Sequence, residues 1–137
     1  TFHSHPGYYI DYFEMRLAQL QVLHNLHYEI KKIRKMPKQA LVIADYIMYM
    51  ADYVVEMNIP DQQIEKLEEI SEQMKQEELP KTREEFEGRA LLYHILMDLE
   101  EFLVYKKRFV NGLDEKKLRI YWKQEMEQKD SANELQK

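Results

Sequence analysis

Apolar side chains recur every three to four positions along this chain, in blocks separated by its four prolines, at positions 6, 37, 60 and 80. A 3.6-residue period places such side chains on one side of a helix and leaves the other side to water. Proline has no backbone N–H and clashes with the preceding turn, so it sits at helix starts or just beyond helix ends. The punctuation predicts four helices: Tyr8 to Lys35, Pro37 to Met57-Asn58, Asp61 to Glu78, and Arg83 to Val110. In the first, Tyr9, Phe13, Leu17, Leu20, His24 and His27 form the expected inward stripe. In the second the stripe is Ala40, Ile43, Ala44, Ile47, Met50, Ala51 and Val54. In the third it is Ile64, Leu67, Ser71 and Met74. The fourth has a wide face of Leu92, Ile95, Leu96, Leu99, Phe102, Leu103 and Phe109, enough to meet more than one neighbour. Short links favour antiparallel neighbours.

The expected fold is therefore all-α: an up-down four-helix bundle with an extra short C-terminal helix. Residues 1–7 are expected to be a linker, 8–112 the bundle, 113–128 an accessory amphipathic helix and 129–137 a frayed tail. Thr82, followed three residues later by Glu85, carries a capping-box pattern for the fourth helix. Asn111-Gly112 reads as a left-handed close to the same helix. Gly88, one turn inside it, is expected either to be tolerated or to mark the close approach of another helix.

Composition narrows the function classes. The chain has 25 acidic against 20 Lys+Arg residues, a net charge of −5, which argues against a general nucleic-acid binder. Cysteine is absent, so disulfides, thiolate metal sites and cysteine nucleophiles are excluded. The longest apolar stretch, Ala40 to Val55, is broken by Asp45 and Asp52 and falls short of the roughly 20 residues a bilayer span needs. There is no glycine-rich phosphate loop, no His-Glu-x-x-His and no Glu-x-x-His, and no serine lies in a nucleophile-like setting. The chain is expected not to be an enzyme and to need no cofactor.

Three stretches carry a family resemblance. Tyr12-Phe13-Glu14-Met15-Arg16, Ile43-Ala44-Asp45-Tyr46 and Leu79-Pro80-Lys81-Thr82-Arg83-Glu84-Glu85-Phe86-Glu87-Gly88-Arg89-Ala90 resemble the C-terminal domain of the aromatic acid exporter family of bacterial membrane proteins. The third is the most distinctive, and together they span about Tyr9 to Phe109. The resemblance implies a helical domain at the cytoplasmic face of the cell membrane. Its partner would be a membrane-spanning half of the same polypeptide, preceding Thr1, and a homo-oligomer is a further partner to expect. Transport would belong to the parent protein, with this domain in an accessory or regulatory role.

Arg16, Asp45 and Arg89 border apolar stripes on three helices. A buried guanidinium must be paired, so a network joining Asp45 to Arg16 or Arg89 is expected, with Glu85 or Glu14 as further partners. It would either set helix register or form an anion pocket, in which Tyr12, Tyr46, Tyr49 and Tyr93 stack on an aromatic carboxylate. His24 and His27, at i and i+3, share a helix face. They are either seam histidines bonded to neighbours or a weak metal pair. His3 and His5 offer a second nitrogen set. His94, in an apolar run, reads as a satisfied core histidine. Tyr46, Tyr49 and Tyr53 would bridge core and solvent, or contact a second copy or the membrane half. The basic cluster Lys116, Lys117, Arg119, Trp122 and Lys123 would either rest on an anionic leaflet or pack on the bundle through Leu118, Tyr121 and Trp122.

Overall fold

A computed structural model describes residues 6–33, 37–113 and 122. Among them the regular elements are four helices and no strand: α1 (Pro6–Lys31), α2 (Ala40–Ala51), α3 (Asp61–Lys75) and α4 (Arg83–Asn111). The proline-delimited order is the predicted one. The proposed C-terminal helix and frayed tail, apart from Leu113 and Trp122, lie outside the described residues.

Helix α4 is the spine. Its 29 residues extend about 44 Å at 1.5 Å each, and its wide apolar face buries Leu92, Ile95, Leu96, Leu99, Phe102 and Leu103. Helix α1 lies along it, while α2 and α3 pack on it and on each other. Helices α1 and α2 make no close backbone approach, so a regular ring in which each helix flanks the next is incomplete on that side. The main core draws Val22 and Leu26 from α1, Ile43, Tyr46 and Met50 from α2, and Leu67, Ile70 and Met74 from α3 onto that face. A smaller cluster at the far end of α4 joins Tyr8, Met15, Phe109, Val110, Leu113 and Trp122.

The inward face of α1 differs from the expected stripe. Tyr8, Met15, Gln19, Val22 and Leu26 are buried, whereas Phe13, Leu17 and Leu20 remain 52%, 65% and 59% exposed, and His24 and His27 also face outward. Apolar residues occupy nearly the whole circumference of this helix, so spacing alone could not choose the side; packing on α4 chose it.

Helix α2 stops at Ala51, one and a half turns earlier than expected. The following residues tighten into i→i+3 bonds, Tyr53 N–H to the Met50 carbonyl at 2.9 Å and Val54 N–H to Ala51 at 3.3 Å. The carbonyls of Val55 and Glu56 are taken by the Lys106 ammonium of α4 instead of by a continuing helix. A latch then sets the α2–α3 corner. Tyr46 donates to the Gln63 carbonyl at 2.7 Å, and the buried Gln63 side chain accepts from Asn58 at 3.0 Å.

The ends of α4 are closed differently from the sequence expectation in two details. Thr82 Oγ1 accepts from Glu85 N–H at 3.1 Å as predicted, but the Glu85 carboxylate returns to Lys81 N–H at 2.8 Å, one residue upstream of the cap. Gly112 is right-handed, with φ −76°. Its N–H closes on the Arg108 and Phe109 carbonyls, and Leu113 N–H on Val110, in a tightened last turn that carries Leu113 into the smaller cluster. No left-handed residue is needed for that ending. Gly88 is buried, as a close packing position would be.

Candidate functional site

Polar side chains interrupt the buried seam between α1 and α4 at two places. The first surrounds Lys106, which falls on the inward side of α4 because it follows Phe102 and Leu103 by one helical turn. Only 4% of the residue is exposed. Its ammonium donates to the Val55 carbonyl at 3.1 Å and to the Glu56 carbonyl, and lies 5.4–5.7 Å from the ring centres of Trp122, Tyr12 and Phe109. Burial, and then the nearby positive charge of Arg16, lower its pKa from 10.5 to about 8, against the opposing pull of Glu56. Beside it, Arg16 donates to Gln19 Oε1 at 2.7 Å and to the Tyr12 hydroxyl at 3.0 Å, and Gln19 donates across the seam to the Phe102 carbonyl at 2.8 Å. Below, Trp122 Nε1 donates to the Tyr8 hydroxyl at 2.9 Å, which donates to Glu56 at 2.8 Å. Burial is the largest influence on that phenol and raises its pKa.

The second interruption lies toward the opposite end of α1. Glu29 is half-buried and meets His94 Nε2 of α4. Asp98, one turn further along α4 on the same face, is 8% exposed. Donor atoms of Glu29, His94 and Asp98 all lie within 4.8 Å of one another. Glu29 Oε2 and Asp98 Oδ2 are buried without a hydrogen-bond partner. Burial, and then the neighbouring Glu29 carboxyl, push the Asp98 carboxyl up to about 6, with His94 pulling the other way. His94 is not a core histidine: its ring is 54% exposed. The apolar run that frames it belongs to the neighbouring faces of a helix buried on one side only.

The predicted three-helix ion network is not assembled. Asp45 is exposed on α2, near Lys66 and Glu69 in a shallow groove. Arg16 is bonded within α1, and Arg89 donates to the Glu78 carbonyl on the link before α4. Each guanidinium therefore finds a partner close in sequence, and neither requires a carboxylate from another helix. The tyrosines separate as well. Tyr12 stays with Arg16; Tyr46 is buried in the α2–α3 corner, where burial raises its pKa; Tyr49 lies under the Lys66 ammonium at 3.9 Å. Arg89 and Tyr93 share a concavity. It measures about 450 Å³, with Phe86, Met74 and Leu79 as its apolar wall. Glu85 borders a second cleft of about 500 Å³ on the other side of Arg89, together with Lys38 and Lys81. His24 and His27 stack edge-on with Tyr28 on the outside of α1, with ring centres 4.9 Å and 6.5 Å away. His3, His5, Lys116, Lys117, Arg119 and Lys123 lie outside the described residues. Trp122 of the basic cluster is buried against Tyr8 and Lys106.

Against this geometry, comparison with known proteins decides the family. Residues 1–107 match the family described as "Putative aromatic acid exporter C-terminal domain". The chain belongs to this family. The match ends within α4, before the buried Trp122. An uncharacterized protein of Bacillus subtilis strain 168, YqjA, is 32% identical over 98 residues, which cover 72% of this chain and 30% of that protein. The chain thus spans about a third of the length of that family relative. No solved structure gives a significant match. No helix among the described residues is long and apolar enough to cross a membrane.

Glu29, Asp98, Gln19 and Lys106 escaped the sequence reading. Asp98 and Lys106 did leave a trace, each being a charged residue at helical spacing from the apolar face of α4, Asp98 from Ile95 and Phe102 and Lys106 from Leu99 and Leu103. Glu29 and Gln19 left none, since their meaning depends on which side of α1 turns inward.

Proposed function

We propose that this chain is the cytoplasmic accessory domain of an aromatic acid exporter, and that it works by docking through α1 onto the membrane-spanning half of the same polypeptide. The observation that carries the reading is the outward apolar stripe of α1. Ile10, Phe13, Leu17 and Leu20 follow helical spacing and are each more than half exposed. A contiguous apolar face bared to water is unfavourable by roughly 25 cal/mol for every Å² that a partner could cover, and such faces mark contact surfaces. A chain that spans 30% of its relative's length leaves ample polypeptide to supply that cover.

Cysteine accessibility tests the docking, since this chain has no cysteine of its own. In the full-length protein, with any other cysteines replaced, Leu17→Cys should react with a membrane-impermeant maleimide far more slowly than Glu68→Cys on the exposed side of α3. In the isolated chain the two should react alike. Equal rates in the full-length protein reject docking through α1. Protection that persists in the isolated chain, together with a dimer in sedimentation, assigns the face to a second copy instead.

One observation favours a second reading, a ligand-sensing module. Arg89, Tyr93 and Phe86 line one cleft, a combination suited to an aromatic carboxylate through a guanidinium fork and ring contacts. Benzoate-class acids would then raise the melting temperature of the wild-type chain and not of Arg89→Ala. No shift at millimolar concentration removes this reading.

A further inference from the structure

We propose that Glu29, His94 and Asp98 form a divalent-cation site that ties α1 to α4. His94 and Asp98 are four residues apart and share one face of α4, and Glu29 reaches them from α1. The carboxylate pair gives the independent evidence. Glu29 Oε2 and Asp98 Oδ2 are both buried with no hydrogen-bond partner, and Asp98 as a whole is 92% covered. Buried carboxylate oxygens without donors are costly, and nearly all such groups in folded proteins find a partner. No lysine or arginine reaches this pair among the described ion pairs and hydrogen bonds. A proton shared between the carboxyls would satisfy both oxygens only by neutralising one of the two groups. A cation between them leaves both ionised, and His94 adds a nitrogen.

The donor set selects the ion. One imidazole nitrogen and two carboxylate oxygens suit a first-row divalent ion in the Mn²⁺ to Zn²⁺ series. Soft Cu(I) prefers sulfur, and Mg²⁺ and Ca²⁺ prefer oxygen alone. Ligand atoms at about 2.0–2.2 Å from such an ion lie roughly 3–3.5 Å from one another. Closing the present 4.8 Å spread to that separation requires about an ångström of movement. His94 can supply it, because its ring is half exposed and makes its polar contact with Glu29 alone among the described residues. Its open side also leaves coordination positions for water. The tie would fall beside Leu26 and Ile95 of the main core, so an occupied site would hold the far end of α1 against α4.

Calorimetry and thermal melting on the chelator-stripped 137-residue chain test the site with ZnCl2 and MnCl2, and with MgCl2 as contrast. The expected result is one saturable Zn²⁺ or Mn²⁺ per chain, a raised melting temperature, and little response to Mg²⁺. Asp98→Asn and His94→Ala should weaken binding roughly tenfold or more and abolish the metal-dependent part of the melting shift, whatever each does to the metal-free melting temperature. The double variant His24→Ala/His27→Ala should bind as the wild type does. No saturable binding up to millimolar metal overturns the proposal. So does binding that survives Asp98→Asn and His94→Ala unchanged, or that disappears with His24 and His27.

Discussion

Lys106 makes a prediction that can be worked through from the structure. Lys106→Met keeps the length and apolar stem of the side chain and removes its charge. The variant loses the bonds to the Val55 and Glu56 carbonyls, worth about 2 kcal/mol together where water can partly replace them. It also loses cation–ring contacts with Trp122, Tyr12 and Phe109, about 1 kcal/mol more. It gains relief from burying a charge. A pKa that falls from 10.5 to about 8 corresponds to roughly 3 kcal/mol at 1.36 kcal/mol per tenfold change in proton affinity. The exposed turn at Val54 and Val55 lets water near the ammonium, so about 1–2 kcal/mol is the better figure. The net loss at pH 7 is therefore about 1–2 kcal/mol. The pH dependence has a definite sign. Between pH 8 and 10.5 the unfolded chain holds this proton and the folded chain has released it, so folding stability rises with pH in that window. Urea unfolding of both proteins at pH 7.0, 8.0, 9.0 and 9.5 should show the gap between them widening by about 1–2 kcal/mol. Tyr8 and Tyr46, with their raised pKa values, ionise in the unfolded state first and lower stability near and above pH 10, but they are common to both proteins and cancel in the difference. A gap that stays constant or narrows from pH 7 to 9.5 would refute the buried-cation argument.

Three further substitutions probe other parts of the fold by urea or thermal unfolding. Leu99→Ala empties the centre of the main core, where the side chain is 1% exposed, and should cost about 3–5 kcal/mol; a loss below 1 kcal/mol would mean the α4 face is not packed as described. Gly112→Ala should stabilise by about 0.4–1 kcal/mol, because the residue is right-handed and an added Cβ meets the Phe109 carbonyl at an ordinary 3.4 Å. A clear destabilisation would instead restore the left-handed ending. Asp45→Ala should change stability by less than about 0.5 kcal/mol, since the residue is exposed, and a loss of 2 kcal/mol or more would reinstate the inter-helix ion network.

Helix order, and the starts of α3 and α4, were legible in the residues because proline and capping chemistry act within a few positions. Asp61 opens α3 and Arg83 opens α4 where Pro60 and Thr82 direct, and Thr82 binds Glu85 N–H as its spacing requires. The ends were less legible. Helix α2 loses its last turns to a lysine 50 residues away in sequence, and α4 closes without the left-handed glycine that Asn111-Gly112 advertised. Of the candidate site residues, Arg89 and Tyr93 came together as the sequence allowed, whereas Arg16 and Asp45 did not meet. Both arginines satisfied themselves locally, a cheaper solution than ordering a partner from another helix.

By itself, then, the sequence determined an all-helical chain, divided by its prolines, with a broad apolar face on its last long helix and the family signature at the entry to that helix. Those properties depend on neighbours three or four residues apart, and such neighbours are fixed once the backbone coils. Tertiary packing alone decided which side of α1 turns inward. That helix is apolar almost all round, so its own period held no preference. Laying it on α4 buried Met15, Gln19, Val22 and Leu26, turned Phe13 and Leu17 to the outside, and brought Glu29 to His94 and Asp98.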